Sequence, residues 1–282
     1  LIHEIGHALG LKHPFSAADS TGESAPPPFL SSSEDVTAWT VMSYTSSAAE
    51  YAFQYSPLDI AALQYLYGPS LTSRAGNDTY TVSNAAANFV WDGAGTDLLD
   101  GSALTQPATL YLTPGYWGYV GTAPAATITS PGQVTVNFGS SIENLKGGSQ
   151  ADHLYGNAGA NRMEGGAGDD VLQGWDGSDT LVGGLGYHTL YGGASSDIGA
   201  RNSGTDVAVF SGQRSSYQIA WSATTDALTV SSTTEGSDTL WDIELLQFAD
   251  TSLQVAALRD SVAPTLLTTS PVNGALRVPY DA

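Results

Sequence analysis

A nine-residue period that begins at Gly147 constrains the fold more than any other feature of the sequence. Six consecutive units, from GGSQADHLY at 147 to GGASSDIGA at 192, follow the pattern Gly-Gly-x-Gly-x-Asp-x-apolar-x. A short fixed period of this kind indicates a solenoid, in which each unit packs only on its neighbours. A flexible glycine-rich linker would not require an apolar residue at position eight. Five units have one, and we expect these side chains to form a thin core: Leu154, Met163, Leu172, Leu181 and Leu190.

The loops of these units carry oxygen ligands of the kind that calcium prefers. Their glycines allow tight turns that expose carbonyl oxygens, and position six adds a carboxylate. The repeat resembles that of RTX proteins, where two units make one turn of a parallel β-roll and calcium lies between units n and n+2. That resemblance implies two intact sites, which pair Asp152 with Asp170 and Asp179 with Asp197. The carbonyl ligands implied by position are those of Gly148, Gln150, Gly165, Ala167, Trp175, Gly177, Gly192 and Ala194.

Two other pairs of units predict weak or empty calcium sites. Asn161 replaces one carboxylate opposite Asp179, which removes a charge. His188 stands opposite Asp170 and offers an imidazole in place of a hard oxygen ligand. The sixth unit ends in Gly199 where an apolar residue belongs, so we expect the roll to fray there.

A second pattern, HEIGHALGLKH, occupies the start of the chain and contains three of its five histidines. His3 and His7 lie four residues apart and share one face of a helix, while Gly10 can end that helix so that His13 supplies a third nitrogen. Three histidines leave one coordination position open, which is typical of catalytic zinc. Glu4 is placed to act as general base and then as proton carrier to a leaving amine. A buried helix with incidental histidines is the weaker interpretation.

This pattern is that of the metzincin zinc proteases, and four segments together resemble the bacterial serralysins: HEIGHALGLKHP, VMSY, SPLDIAALQYLYG and RAGNDTY. The resemblance implies that Met42 forms an apolar floor under the histidines. It also implies that Tyr44 is a further zinc ligand, which swings away to hydrogen-bond the tetrahedral intermediate. Ser56, Pro57 and Asp59 predict the start of a helix, to which we assign no chemistry.

Two segments between the protease-like part and the repeats, RAGNDTY and WDGAGTD, resemble serralysin segments that hold calcium at this junction. Carried over by position, the first site uses the carbonyls of Arg74, Gly76, Asp78 and Ala94 and the side chains of Asp92 and Asp97. The second site uses Gly95, Asp97, Ser141 and Glu143. The alternative is that these aspartates bond only to the backbone of their own turns.

Composition limits the class of partner. The 282 residues include 28 acidic and 8 basic side chains, for a net charge of -20, which argues against nucleic acid and anionic membranes. The chain has no cysteine and therefore no disulfide, so we expect bound metals to stabilise the fold instead. No apolar run approaches the length that spans a bilayer, and we expect no membrane insertion.

We therefore expect an α+β, mostly β chain that contains the C-terminal half of a metzincin catalytic domain, a parallel β-roll and a β-rich cap. We also expect the chain to be a fragment cut from both ends of a longer protein. The insert 107–133 has no functional explanation. The expected divisions are a protease subdomain without its N-terminal part (1–73), a strand-rich calcium junction (74–146), the roll (147–200), the cap (201–258), and a linker with the truncated start of an Ig-like domain (259–282).

The favoured function is a zinc endopeptidase, extracellular or attached to the cell surface, with one catalytic zinc and several structural calcium ions. The family resemblance implies protein or peptide substrates and export by type I secretion machinery. We expect weak or absent proteolysis by residues 1–282 alone, because the substrate cleft would have only one wall. The alternative is a calcium-binding RTX adhesin or surface protein whose protease-like segment is inactive. The Ig-like C-terminus favours that alternative, and the intact Glu4 disfavours it.

Overall fold

A computed structural model describes residues 1–15, 30–46, 55–193, 204–222 and 224–259. Strands dominate these residues, and the mostly β fold with parallel sheets that the sequence predicts is confirmed. The α-helices of the described residues are α1 (Ile2–Ala8), α2 (Pro57–Tyr67) and α3 (Val255–Arg259). Within this part of the chain, none of the helices has the length and apolar character that crossing a membrane requires.

The first sheet contains eight strands, which are parallel except at its last pair. In spatial order they are β1 (Thr79–Thr81), β3 (Leu98–Asp100), β7 (Asn144–Lys146), β9 (Arg162–Ala167), β11 (Thr180–Leu185), β13 (Val207–Val209), β17 (Leu245–Gln247) and β18 (Ser252–Gln254).

The second sheet contains ten strands. Its central strands are parallel, antiparallel pairs flank them on both sides, and the last pair is again parallel. In spatial order the strands are β14 (Gln218–Ser222), β15 (Ala227–Ser232), β16 (Gly236–Trp241), β12 (Thr189–Tyr191), β10 (Val171–Gln173), β8 (His153–Tyr155), β4 (Ala108–Tyr111), β5 (Gly118–Val120), β6 (Gln133–Val136) and β2 (Asn88–Val90).

Consecutive nonapeptides alternate between the two sheets, so that units n and n+2 pair. Leu154 lies opposite Leu172 in the second sheet, and Met163 lies opposite Leu181 in the first. The five position-eight side chains that the sequence assigns to the core are all 0% exposed, which confirms that assignment: Leu154, Met163, Leu172, Leu181 and Leu190.

The roll is longer than the repeat pattern predicts. Strands on both sides of residues 147–200 continue the same ladders, and their inward side chains join one hydrophobic cluster: Leu99, Leu110, Leu145, Ala208, Leu240 and Leu246. The junction and the cap are therefore built on the same core as the repeats. Gly199 lies outside the described residues, yet β13 and β16 extend both sheets beyond it.

A smaller, separate core supports the protease-like part. Leu11, Val41 and Met42 form its centre, and Ala62 and Leu63 of α2 pack against it. The insert 107–133 supplies β4 and β5, and β5 pairs antiparallel with β4 and with β6. This insert therefore widens the second sheet of the roll.

Candidate metal sites

The three histidines of the first motif converge on one point. Helix α1 carries His3 and His7 on one face, and Gly10 ends the helix with a φ of 92°, which turns the chain back toward His13. The Nε2 atom of His13 lies 3.2 Å from that of His3 and 3.1 Å from that of His7. This separation suits three nitrogens of a tetrahedral zinc site, since Zn–N bonds of about 2.0–2.1 Å place such nitrogens about 3.3 Å apart.

The other ring nitrogens of the two helix histidines fix their tautomers. His3 Nδ1 donates to the carbonyl of Val41 at 2.8 Å, and His7 Nδ1 donates to the carbonyl of Leu11 at 3.0 Å. In the neutral rings both Nε2 atoms therefore present lone pairs to the third histidine. His13 Nε2 carries one hydrogen at most, so it can donate to only one of the two other Nε2 atoms. In the remaining contact two lone pairs face each other, and a bound cation would remove that repulsion. Burial, followed by the neighbouring His7 and His3, lowers the pKa of His13 and favours the neutral form that a metal ligand needs.

Met42, Tyr44 and Glu4 surround this cluster. The side chain of Met42 is 1% exposed and packs on α1, where a Cβ on Gly6 would lie 2.5 Å from its sulfur. The ring of Tyr44 is 68% exposed, and its centroid lies 4.7 Å from that of His13. Glu4 is exposed on α1 next to His3. These positions are compatible with the expected roles of Met42 as an apolar floor, Tyr44 as a movable ligand and Glu4 as a general base.

Asp59 has a structural role that the sequence interpretation missed. Its buried carboxylate accepts hydrogen bonds from the Thr40 hydroxyl at 2.6 Å, the Val41 amide at 2.8 Å and the Ser56 amide at 3.0 Å. Val41 is also the residue whose carbonyl holds His3. Asp59 thus links the start of α2 to the turn that contains Met42. The pattern Ser56, Pro57 and Asp59 correctly predicted the start of a helix. It could not show that the Asp59 carboxylate also binds the distant segment of Thr40 and Val41.

An open cavity of about 620 Å³ lies beside His13. Its walls are mainly apolar and come from the loop after α1, the Met42 turn, α2 and the roll: Leu11, Met42, Leu58, Tyr65 and Phe138. A cavity of this size and character can receive an apolar side chain.

The junction segments bring three carboxylates together. Ligand oxygens of Asp78, Asp92 and Asp97 all lie within 4.8 Å of one another. One oxygen each of Asp92 and Asp97 is buried without a hydrogen-bond partner. Burial raises the pKa of Asp97 to about 6, and the neighbouring carboxylates of Asp92 and Glu143 add to the shift. Orphaned, buried carboxylate oxygens of this kind fit a calcium ion.

The second set of junction residues is also adjacent. The Asp97 amide donates to Glu143 Oε2 at 2.9 Å, and the Ser141 hydroxyl donates to Glu143 Oε1 at 2.7 Å. The loop of Gly95 stacks on the carbonyl of Gly76. The Arg74 carbonyl faces the amides of Gly93 and Ala94 at 3.4 and 3.5 Å.

Position-six side chains form two columns along the roll, and the column of the first sheet is interrupted at Asn161, whose side-chain oxygen accepts the amide of Asn157. In each column, a carboxylate or its replacement accepts the backbone N–H of the corresponding residue one turn earlier. In the first sheet these acceptors are Asp97, Glu143, Asp179, Asp206 and Glu244. In the second sheet they are Asp152, Asp170, His188 and Asp238.

The column of the first sheet gives Asp179 a counterpart that the repeat spacing did not predict. The counterpart of Asp179 is Asp206, whose carboxylate accepts the Asp179 amide at 2.8 Å across 27 residues. The register agrees, because Thr180 of β11 lies opposite Val207 of β13. The strict nonapeptide spacing instead predicted Asp197, which lies outside the described residues together with Ala194. Strand β11 thus pairs with β13, a register that spacing alone could not reveal, and the calcium pair of Asp179 with Asp197 stays a prediction.

The pair of Asp152 and Asp170 has the expected geometry. The amide of Asp152 donates to Asp170 Oδ1 at 2.9 Å, and the other oxygen of Asp170 is buried, accepts no hydrogen bond and lies 3.3 Å from His188 Nδ1. The loops that carry the expected carbonyl ligands stack closely, as the amide of Ala167 reaches the Gly148 carbonyl at 3.3 Å. Gly168 lies against Gln150 in the same stack.

The two expected weak positions differ in their chemistry. His188 is 1% exposed, and its Nδ1 lies 3.3 Å from Asp170 Oδ2. Asn161 accepts the amide of Asn157 at 2.8 Å with its side-chain oxygen. Their calcium occupancy stays a prediction.

Comparisons with known proteins identify the calcium-binding repeats and a similarity to serralysins over about half of the chain. The model of the RTX calcium-binding nonapeptide repeat matches residues 139–172, 155–187 and 174–208. Serralysin B of Dickeya chrysanthemi is 37% identical over 167 residues, which cover 52% of this chain and 33% of that protein. Over about half its length, this chain is serralysin-like.

Other relatives give the same result. Serralysin of Proteus mirabilis is 38% identical over 144 residues, covering 43% of this chain and 29% of that protein. Metallopeptidase AprA of Pseudomonas marginalis is 35% identical over 174 residues, covering 52% of this chain and 35% of that protein. The chain thus spans about a third of the length of these serralysin-type relatives.

Proposed function

We propose that this chain is the zinc-bearing and calcium-binding part of a secreted metalloendopeptidase. One observation carries the proposal: the Nε2 atoms of His3 and His7 both lie within 3.2 Å of His13 Nε2. Backbone carbonyls bind the Nδ1 atoms of the two helix histidines, so that their Nε2 lone pairs point toward His13. Hydrogen bonds from the outer ring nitrogens to backbone carbonyls orient metal-binding imidazoles. The serralysin-like sequence and the RTX repeats support the same function.

The proposed zinc ligands are His3, His7 and His13, with Tyr44 as a fourth, movable ligand. Zinc bound there would supply a Lewis acid that polarises the scissile carbonyl and makes water more acidic. Glu4 takes the proton of the attacking water and delivers it to the leaving amine. The hydroxyl of Tyr44 donates a hydrogen bond to the developing oxyanion.

Calcium has a structural role in this proposal. The carboxylate pairs of the roll and the junction repel one another when ionised, and calcium between them removes that repulsion. Because binding stabilises only the folded state, external calcium drives folding by mass action, whereas a calcium-poor cytosol favours the unfolded chain. Such a chain would suit the type I secretion machinery that the family resemblance implies, and would give an extracellular or cell-surface protein.

Proteins and peptides are the proposed substrates. The apolar cavity beside His13 can accept an apolar side chain next to the cleaved bond. The net charge of -20 disfavours polyanionic substrates, including nucleic acids.

The test is proteolysis of casein by the full-length protein and its Glu4→Gln variant. We expect activity in the wild type and a loss of at least about 100-fold in the variant, with zinc retained, because only the base is removed. Glu164→Gln, on the surface of the roll, is the control and should retain activity. A zinc-loaded wild type without proteolytic activity would instead favour the alternative, a calcium-binding RTX adhesin or surface protein.

A further inference from the structure

Phe15 lies against the proposed zinc site, two residues after its third histidine. Its ring is parallel to that of His13, with an interplanar angle of 5° and a centroid distance of 5.1 Å. The same ring contacts Tyr44, with centroids also 5.1 Å apart. Phe15 therefore touches both proposed ligands that do not belong to helix α1.

These two ligands have less support than the helix ligands. Carbonyls of Val41 and Leu11 orient the rings of His3 and His7. Within residues 1–15, 30–46 and the rest of the described chain, no carbonyl accepts a hydrogen bond from His13 Nδ1. The ring of His13 instead stacks parallel to that of Phe15.

Tyr44 depends on ring contacts in a similar way. Its side chain is 68% exposed, so burial does little to hold it. Its described ring contacts are with His3, His13 and Phe15. Of these three, only Phe15 is not itself a proposed metal ligand, so it can support Tyr44 independently of the metal.

We infer that Phe15 is a positioning residue of this site, which fixes the plane of His13 and limits the positions open to Tyr44. The inference rests on the proposed zinc function and adds a residue to it. Aromatic stacking favours one ring orientation by an amount equivalent to about three- to tenfold in an equilibrium. Phe15 cannot ligate metal, so it acts only through the two residues that it contacts.

The experiment uses the purified chain with four substitutions: Phe15→Ala, Phe15→Leu, Phe15→Tyr and Tyr44→Phe. Zinc affinity is measured by competition with a chromophoric chelator. The zinc is then replaced by Cu²⁺, which binds nitrogen sites more tightly. A phenolate bound to Cu²⁺ gives a visible charge-transfer band, which reports directly on ligation by Tyr44 and should be absent in Tyr44→Phe.

We expect Phe15→Ala to lower zinc affinity about three- to tenfold and to weaken the charge-transfer band, because His13 and Tyr44 lose their shared support. Phe15→Leu retains apolar volume without an aromatic face and should resemble the alanine variant. Phe15→Tyr retains the face and should restore wild-type behaviour. A merely structural Phe15 would alter the unfolding midpoint but neither the band nor the affinity.

The outcomes separate the inference from the proposed function. Wild-type affinity and an unchanged band in Phe15→Ala would overturn the inference while leaving the zinc site intact. A wild-type chain that binds neither zinc nor copper would overturn the proposed function, and the inference with it.

Discussion

Asp59 supports the geometry of the proposed zinc site without being one of its ligands. Its carboxylate is 3% exposed and satisfies donors from the Met42 turn and from the start of α2. Burial raises its pKa, and the hydrogen bonds that it accepts oppose this shift. Burying a carboxylate costs free energy unless its oxygens accept hydrogen bonds, and those of Asp59 accept three.

Replacing Asp59 by alanine should destabilise the protease-like part and misalign His3. The change leaves the amides of Val41 and Ser56 buried without acceptors, which costs about 2–4 kcal/mol in the free energy of unfolding. Zinc affinity should fall as well, because the Val41 carbonyl holds the ring of His3. Urea unfolding and zinc competition measure the two effects.

Asp250→Ala is the matched control. Asp250 also accepts a backbone amide, that of Arg214 at 2.7 Å, but it is exposed. Its replacement should change stability by less than about 1 kcal/mol and leave zinc affinity unaltered. Equal effects of the two substitutions would contradict the role assigned to Asp59.

At the scale of elements, the carboxylate columns connect the repeat pattern to calcium. Strands β9, β11 and β13 keep their position-six residues in register, so Asn161, Asp179 and Asp206 follow one another along the column. Burial raises the pKa of Asp152 to about 6, that of Asp179 to about 7 and that of Asp238 to about 6. Without calcium, the folded roll therefore holds these groups in their protonated form more strongly than an unfolded chain does.

This difference predicts how the stability of the calcium-free roll depends on pH. Unfolded aspartates titrate near pH 4, and the folded ones titrate near 6 to 7. Between these values the folded chain binds more protons, so its stability falls as the pH rises through the window. Urea unfolding in calcium-free buffer should show greater stability at pH 5 than at pH 8.

Saturating calcium should reverse this trend, because calcium requires ionised ligands. Stability at pH 8 should then exceed the calcium-free value by about 2.7 kcal/mol for each site filled at 100 times its dissociation constant. A calcium-free roll that becomes more stable with rising pH would contradict the arrangement of buried carboxylates.

The register of β11 and β13 gives a further prediction at this scale. Asp206→Asn should weaken calcium binding at the turn of Asp179, because Asp206 is the described counterpart of that residue. Asp197→Asn, at the position that strict spacing selects, should bind as many calcium ions as the wild type. Isothermal titration with calcium compares the variants, and a loss confined to Asp197→Asn would show that Asp206 is not the calcium ligand opposite Asp179.

At the scale of the whole molecule, two separate cores predict two separable responses to metal removal. One cluster contains Leu11, Val41 and Met42, and the other runs through the roll from Val82 to Val255. The proposed calcium ligands lie in the strands and loops around the second cluster, and the proposed zinc ligands lie beside the first. A zinc-selective chelator should therefore leave the unfolding of the roll unchanged, whereas calcium removal at pH 8 should lower its midpoint. Circular dichroism followed against temperature distinguishes the two, and one shared transition for both chelators would contradict this division.

The sequence predicted the periodic parts of this molecule well. Position-eight residues such as Leu172 lie in the core as expected, because a strict period repeats the same environment at every turn. The sequence did not predict the turns of the roll whose units depart from the nonapeptide pattern. In these turns Leu99, Leu145 and Leu246 occupy the position of the apolar repeat residue in the ladder of the first sheet. Their units lack the paired glycines, so only the strand register reveals them.

Contacts between distant segments were the other limit of sequence interpretation. The histidine motif could be recognised from the sequence because its residues lie within eleven positions of one another. A single helix and turn bring them together. The hydrogen bond from Thr40 to Asp59 spans 19 residues, and the pair of Asp179 and Asp206 spans 27. Spacing carries no signal for such pairs, because packing decides which segments meet.

Metal content of the purified chain tests the central claim most directly. Elemental analysis after dialysis should find about one zinc per chain in the wild type and in His153→Ala, whose histidine is exposed on the roll. His7→Ala should lose that zinc, while all three proteins retain several calcium ions. Zinc retained in His7→Ala, or a wild type that holds calcium but no zinc, would contradict the assignment of His3, His7 and His13 as a zinc site.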